Sequence, residues 1–116
     1  MSFSRIEVMR RCKVYVNGVE AGMLTENDSP REYHFNYHKS YLENGLPAVC
    51  LSMPLQEKEY RSSALFPYFF NLLSEGENRA IQSSLYHIDK EDDFGILLAT
   101  AQHDTVGAVT VVPIYE

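Results

Sequence analysis

A chain of 116 residues, 45% hydrophobic and 22% charged, has enough apolar material for one buried core and too little length for two. Its net charge of −6 argues against a protein whose main task is gripping phosphates, because that task needs clustered cations. No run approaches the roughly 18 apolar residues of a membrane span. The opening MSFSRIEVMRRCKV lacks the apolar segment of a secretory signal, so a cytoplasmic location is expected.

Basic residues gather at the front (Arg5, Arg10, Arg11, Lys13), a pattern that fits a solvated strand edge better than a nucleic-acid arm. KVYVNGVEAGML then reads as a β-hairpin, with Asn17-Gly18 supplying the positive φ angles of a two-residue turn. EYHFNYH alternates strictly, which places Tyr33, Phe35 and Tyr37 on one face and His34, Asn36 and His38 on the other. PAVCLSM is a short apolar run of the kind that forms a strand buried on both sides. Cys12 and Cys50 have no CxxC partner and are expected as buried free thiols in strands.

After residue 53 the period lengthens. In ALFPYFFNLLSEG, Leu65, Phe69, Leu72 and Leu73 fall on one helix face, with Pro67 in the first turn and Gly76 as the stop. ENRAIQSSLYHI gives a second helix with Ile81, Leu85 and Ile88 inward. DKEDDFGILLATA gives a third, with Phe94, Leu97, Leu98 and Ala101 inward and Asp89, Glu91, Asp92 and Asp93 at its start. GAVTVVPI returns to strand. The expected order is β-β-β-β-α-α-α-β over residues 1–116: a single α+β domain whose mainly antiparallel, barrel-like sheet of about five strands packs with about three helices.

Chemistry is harder to find. Asp93-Phe94-Gly95 spells the magnesium-binding triplet of protein kinases, but no Gly-rich loop, strand lysine or HRD-type loop precedes it. His34 and His38 lie about 13 Å apart along a strand, too far to share a zinc ion. No nucleophile elbow, Cys–His pair or phosphate loop appears, so no catalytic, cofactor-binding or metal-binding residue is assigned and no enzyme is expected. The dense rings of LFPYFFNLL remain. Beside the inward face, Phe66 and Phe70 lie on a neighbouring stripe and Tyr68 points further round, a surface that either a wide buried face or a protein partner would cover.

Three segments carry a resemblance: VYVNGVEAGML…YHFNY with LSMPL, then ALFPYFFNLL, then FGILLATAQHDTVGAVTVVP. In this order, from about Lys13 to Pro113, they are similar to the N-terminal subdomain of the HipA family of serine/threonine kinase toxins. The resemblance implies a domain that sits next to a kinase core and carries no activity itself. In the three-protein form of these toxin–antitoxin systems, the subdomain is a separate antitoxin, HipS. It neutralises a shortened kinase toxin, HipT, while HipB, a helix-turn-helix protein, binds the operator DNA. The implied partners are therefore a HipT-like serine/threonine kinase and, in a ternary complex, a HipB-like protein, with no direct nucleic-acid or membrane contact. The implied role is inhibition of the kinase. The alternatives are an accessory scaffold or activator completing a split kinase and, through the basic front, a nucleic-acid-associated module. The family usually carries an acidic residue where Phe70 stands, and replacing it with Phe leaves a ring that needs a cover. The expected partner-binding residues are Phe66, Tyr68 and Phe70, with Asp104, Thr105, Gly107 and Ala108 as a second contact where a Gly-containing turn allows close backbone approach.

Overall fold

The computed structural model describes residues 9–28, 31–73, 76–89, 91–100 and 108–114. β1 (Met9–Val16) and β2 (Val19–Asp28) form the expected hairpin. Its turn residues Asn17 and Gly18 have φ of 53° and 81°, which an Asn-Gly pair adopts with little steric penalty. β3 (Arg31–Tyr37) adds antiparallel to β2, and β4 (Tyr60–Ser62) adds to β3. β5 (Val109–Ile114) returns to pair with β1, giving the order β4-β3-β2-β1-β5. Pro113 is tolerated because β5 is an edge strand with one neighbour.

The class expected from the sequence is observed: α+β, with a five-stranded antiparallel sheet. The barrel-like part is corrected, since β4 and β5 are edges and the sheet is open among the described residues. Among the described residues four helices accompany it: α1 (Lys39–Glu43), α2 (Pro67–Phe70), α3 (Gly76–Tyr86) and α4 (Asp93–Thr100). α1 was not foreseen.

The core grows from the alternation of the strands. Cys12, Val14 and Val16 of β1, Leu24 of β2, Tyr33, Phe35 and Tyr37 of β3, and Val109 and Val111 of β5 are buried. Phe69 of α2 and Phe94, Ile96 and Leu97 of α4 close over them. The ring contacts follow: Phe35 to Phe69 at 6.1 Å, Phe35 edge-on to Tyr37 at 4.9 Å, and Tyr33 to Phe94 at 6.0 Å. Gly22 lets β2 pass β3 closely, because a Cβ there would collide with the Asn36 carbonyl oxygen and come within 2.9 Å of the Phe35 ring.

Other expectations fail locally. PAVCLSM is not a buried strand; it forms a turn with one isolated bridge, Cys50 to Met53, and Leu51 is fully exposed. Cys50 accordingly lies outside the strands and is half-buried, whereas Cys12 is buried in β1 as expected; both are free. The fourth strand is Tyr60–Ser62 instead, too short to show a period. α2 is a single turn, and Gly76 begins α3 rather than ending α2. Leu65, Phe69 and Leu73 are nonetheless buried, as their spacing implied. In α3 the expected inward face is overturned: Ile81 is 55% and Leu85 69% exposed, and only Ile88, beyond the helix end, packs on the core. In α4, Phe94 and Leu97 are buried and Leu98 half-buried as expected, while Ala101 lies outside the described residues.

Candidate partner-binding surface

α2 forms where Pro67 fixes φ at the first helical position and Phe66, extended at ψ 138°, serves as its N-cap. The Phe70 N–H donates to the Phe66 carbonyl at 3.0 Å and the Asn71 N–H to the Pro67 carbonyl at 2.9 Å, completing one turn. This turn fans the aromatic run in different directions. Phe69 goes fully inside, held by Phe35 and by the edge of Tyr68 at 5.6 Å. Phe66 also goes inside, with 8% of its surface exposed. Tyr68 is half-buried, and burial together with neighbouring Cys50 raises its hydroxyl above the ordinary phenol range. Phe70 alone of the three sequence-selected rings stands out into solvent, at 43% exposure.

The second expected contact is largely outside the described residues: Asp104, Thr105 and Gly107 all lie there. Ala108 is exposed, and its carbonyl accepts the Asn17 N–H at 2.9 Å, which ties the start of β5 to the hairpin turn. Tyr68 and Phe70 thus sit on one helical turn but leave it in different directions, and both are far along the chain from Ala108, which immediately precedes β5.

The residues that spelled a kinase motif have structural tasks. Asp93 pairs with Arg79 of α3 at 2.5 Å. Phe94 is buried beneath Arg10, whose guanidinium lies 5.3 Å from the ring centroid. Gly95 is buried where a Cβ would collide with the Asp92 carboxylate and meet Ile88 Cγ2 at 2.9 Å. Asp92 caps α4 by accepting the Gly95 N–H at 3.1 Å.

Several other polar groups are engaged likewise. Arg10 binds Asp92 through two N–H groups at 2.9 Å and reaches Glu26 at 2.8 and 2.5 Å, while the Tyr33 hydroxyl donates to Glu26 at 2.9 Å. Arg10 thereby holds the Asp92 carboxyl below the usual carboxylate range. The front cations are thus partly drawn into the fold: Arg10 into this network and Lys13 to Glu20 at 3.9 Å. Arg5 lies outside the described residues. His34 is buried between Glu32 at 2.9 Å and Glu59 at 3.0 Å, and His38 meets Glu20 at 2.7 Å. Among the described residues no group of three or more His, Cys, Asp or Glu could hold a metal ion, and no helix is long and apolar enough to cross a membrane. An open cleft of about 250 Å³ is lined by Tyr37, Lys39, Leu42 and Glu57.

Sequence reading missed one conspicuous feature. Leu51 is 101% exposed on the turn that follows Val49, and the run PAVCLSM offered no signal of it because a continuous apolar stretch predicts burial.

Comparison with known proteins places this arrangement. The family model of the HipA N-terminal domain matches residues 12–112. An uncharacterized protein of Haemophilus influenzae is 33% identical over 105 residues, covering 90% of this chain and 93% of the relative. Among solved structures, the N-terminal domain of a HipA toxin is similar at a TM-score of 0.69 and 28% identity, across 97% of this chain and 99% of that one. The chain belongs to the HipA N-terminal domain family.

Proposed function

We propose that the protein is a non-catalytic antitoxin subunit of the HipS kind, which binds a HipT-like serine/threonine kinase and holds it inactive in the cytoplasm. The observation that carries this reading is Phe70: a ring 43% exposed at the end of α2, in a member of the HipA N-terminal domain family that resembles the solved N-terminal domain of a HipA toxin. An exposed aromatic ring is available as an anchor, and aromatic side chains are enriched at the centres of protein interfaces. Half-buried Tyr68, two residues earlier on the same turn, supplies a second aromatic contact with a polar tip. The residues at 104–108 form the second contact, and a HipB-like protein joins the pair on DNA.

The test is phosphate transfer by the purified kinase with and without this chain. Inhibition that is lost in Phe70→Asp, by about tenfold or more as for an interface hot spot, supports the reading. Stimulation of the kinase would replace the antitoxin by an activating scaffold. An unchanged inhibition constant in Phe70→Asp would remove Phe70 from the interface.

A further inference from the structure

We propose that the turn Cys50–Met53 is a pre-organised anchor that inserts the Leu51 side chain into an apolar pocket of the kinase partner. This inference rests on the reading above and adds to it a second, separate point of contact.

The turn is built with unusual care for something that carries an exposed leucine. Its flanks are buried, Val49 at 6% and Met53 at 3% exposure, and the Met53 N–H donates back to the Cys50 carbonyl at 3.2 Å. Three tyrosine hydroxyls pin the surrounding backbone. Tyr37 accepts the Val49 N–H at 2.9 Å and donates to the Met53 carbonyl at 2.5 Å, so one phenol clamps both sides of the tip. Tyr41 donates to the Pro47 carbonyl and Tyr60 to the Pro54 carbonyl, each at 2.5 Å. The Tyr37 ring is itself fixed, stacked on Tyr41 at 6.1 Å and edge-on to Phe35. Burial pushes the Tyr37 hydroxyl up to about 12, so it keeps the proton it donates.

A tip held this firmly loses little freedom on binding, which is where pre-organised contacts gain affinity. Its composition matches an interface centre as well. From Leu46 to Gln56 no residue is charged, in a chain with 10 basic and 16 acidic residues, and interface centres are depleted of charge. Burial, and after it the proximity of Cys50, raises the hydroxyls of both Tyr60 and Tyr68, so the turn adjoins Tyr68 of α2. The occupant is the kinase because this domain's family is named as the N-terminal part of a toxin, whose remainder is the protein surface it would meet.

The experiment measures kinase binding by titration calorimetry for the wild-type chain, Leu51→Ser, Leu51→Met and Phe70→Asp, with thermal midpoints of each free chain. Leu51→Ser weakens binding about tenfold or more, Leu51→Met binds as wild type, and both melt as wild type because the side chain is fully exposed in the free protein. Wild-type affinity in Leu51→Ser alongside lost affinity in Phe70→Asp would overturn the anchor and leave the antitoxin reading standing. No binding by the wild-type chain would overturn both.

Discussion

Replacing Arg10 by Met isolates the polar network that locks the sheet to α4. Met keeps an aliphatic stem over Phe94 and removes the charge that Glu26 and Asp92 share. The side chains of Arg10 and Asp92 are each 28% exposed, but that of Glu26 is only 5% exposed. Without Arg10, Glu26 keeps the Tyr33 hydroxyl at 2.9 Å and a distant Arg31 at 3.9 Å. Breaking a fully buried ion pair costs about 3–5 kcal/mol, and partial solvation of two of the three members reduces this to about 2–3 kcal/mol. A chain of this size then melts about 10 °C lower. Urea unfolding at pH 7 measures the loss. Adding Glu26→Gln to Arg10→Met should recover about 1 kcal/mol, because it removes the stranded charge while leaving an acceptor for Tyr33. The pH dependence follows from Asp92, whose folded-state carboxyl is depressed by Arg10. Its contribution is present above the unfolded value of about 3.9 and is lost as pH falls through the lower folded value. The gap between wild type and Arg10→Met therefore narrows on acidification. A variant within about 0.5 kcal/mol of wild type at pH 7, the range of an ordinary surface change, or a gap that widens in acid, would refute the reasoning.

Two further outcomes are expected. Gly22→Ala and Gly95→Ala each destabilise by about 1–3 kcal/mol or more in urea unfolding, because the new methyl meets the Asn36 carbonyl oxygen or the Asp92 carboxylate; an unchanged midpoint in either would show that the close approach is not required. Cys12 resists alkylation in the native protein while Cys50 reacts, since burial pushes the Cys12 thiol up and holds it away from reagent; equal labelling rates by mass spectrometry would contradict that burial.

The elements that could be read from the sequence are those whose signal is local. Asn17-Gly18 fixes the hairpin through backbone angles that few other residues adopt, and the alternation Tyr33, Phe35, Tyr37 is the pleat itself. Pro67 at the first helical position was legible for the same reason. β4 was not, because three residues show no period and its pairing with β3 is a long-range event. PAVCLSM misleads because apolar character alone does not fix which residues of a run are buried. Val49 and Met53 are indeed buried, but three phenols from other elements pull the intervening chain into a turn that turns Leu51 outward. Of the candidate rings, the outward path of Phe70 fits its helix spacing, whereas the partial burial of Tyr68 does not, and the inward path of Phe66 depends on its role as the cap of a helix only one turn long.

α3 shows why periodicity alone can assign the wrong face. Its apolar residues Ile81 and Leu85 lie four apart and predict an inward stripe, yet they remain 55% and 69% exposed. Turning them inward would bury only their remaining surface, worth about half of the 1.5–3 kcal/mol available for each side chain. The rotation would also swing Arg79, 15% exposed and paired to Asp93, out of its place, and would part the Ser83 hydroxyl from the Ile88 carbonyl it donates to. A charge-assisted bond is worth about 1.5–3 kcal/mol, and Asp93 would lose its partner at the start of α4. The polar anchors therefore at least balance the aliphatic gain. They also fix the helix end, where His87 adopts φ 58° and the Ile88 N–H bonds the Ser83 carbonyl at 3.0 Å, bringing Ile88 back to the core. Helix orientation here is decided by ion pairing to α4, which the hydrophobic period does not encode.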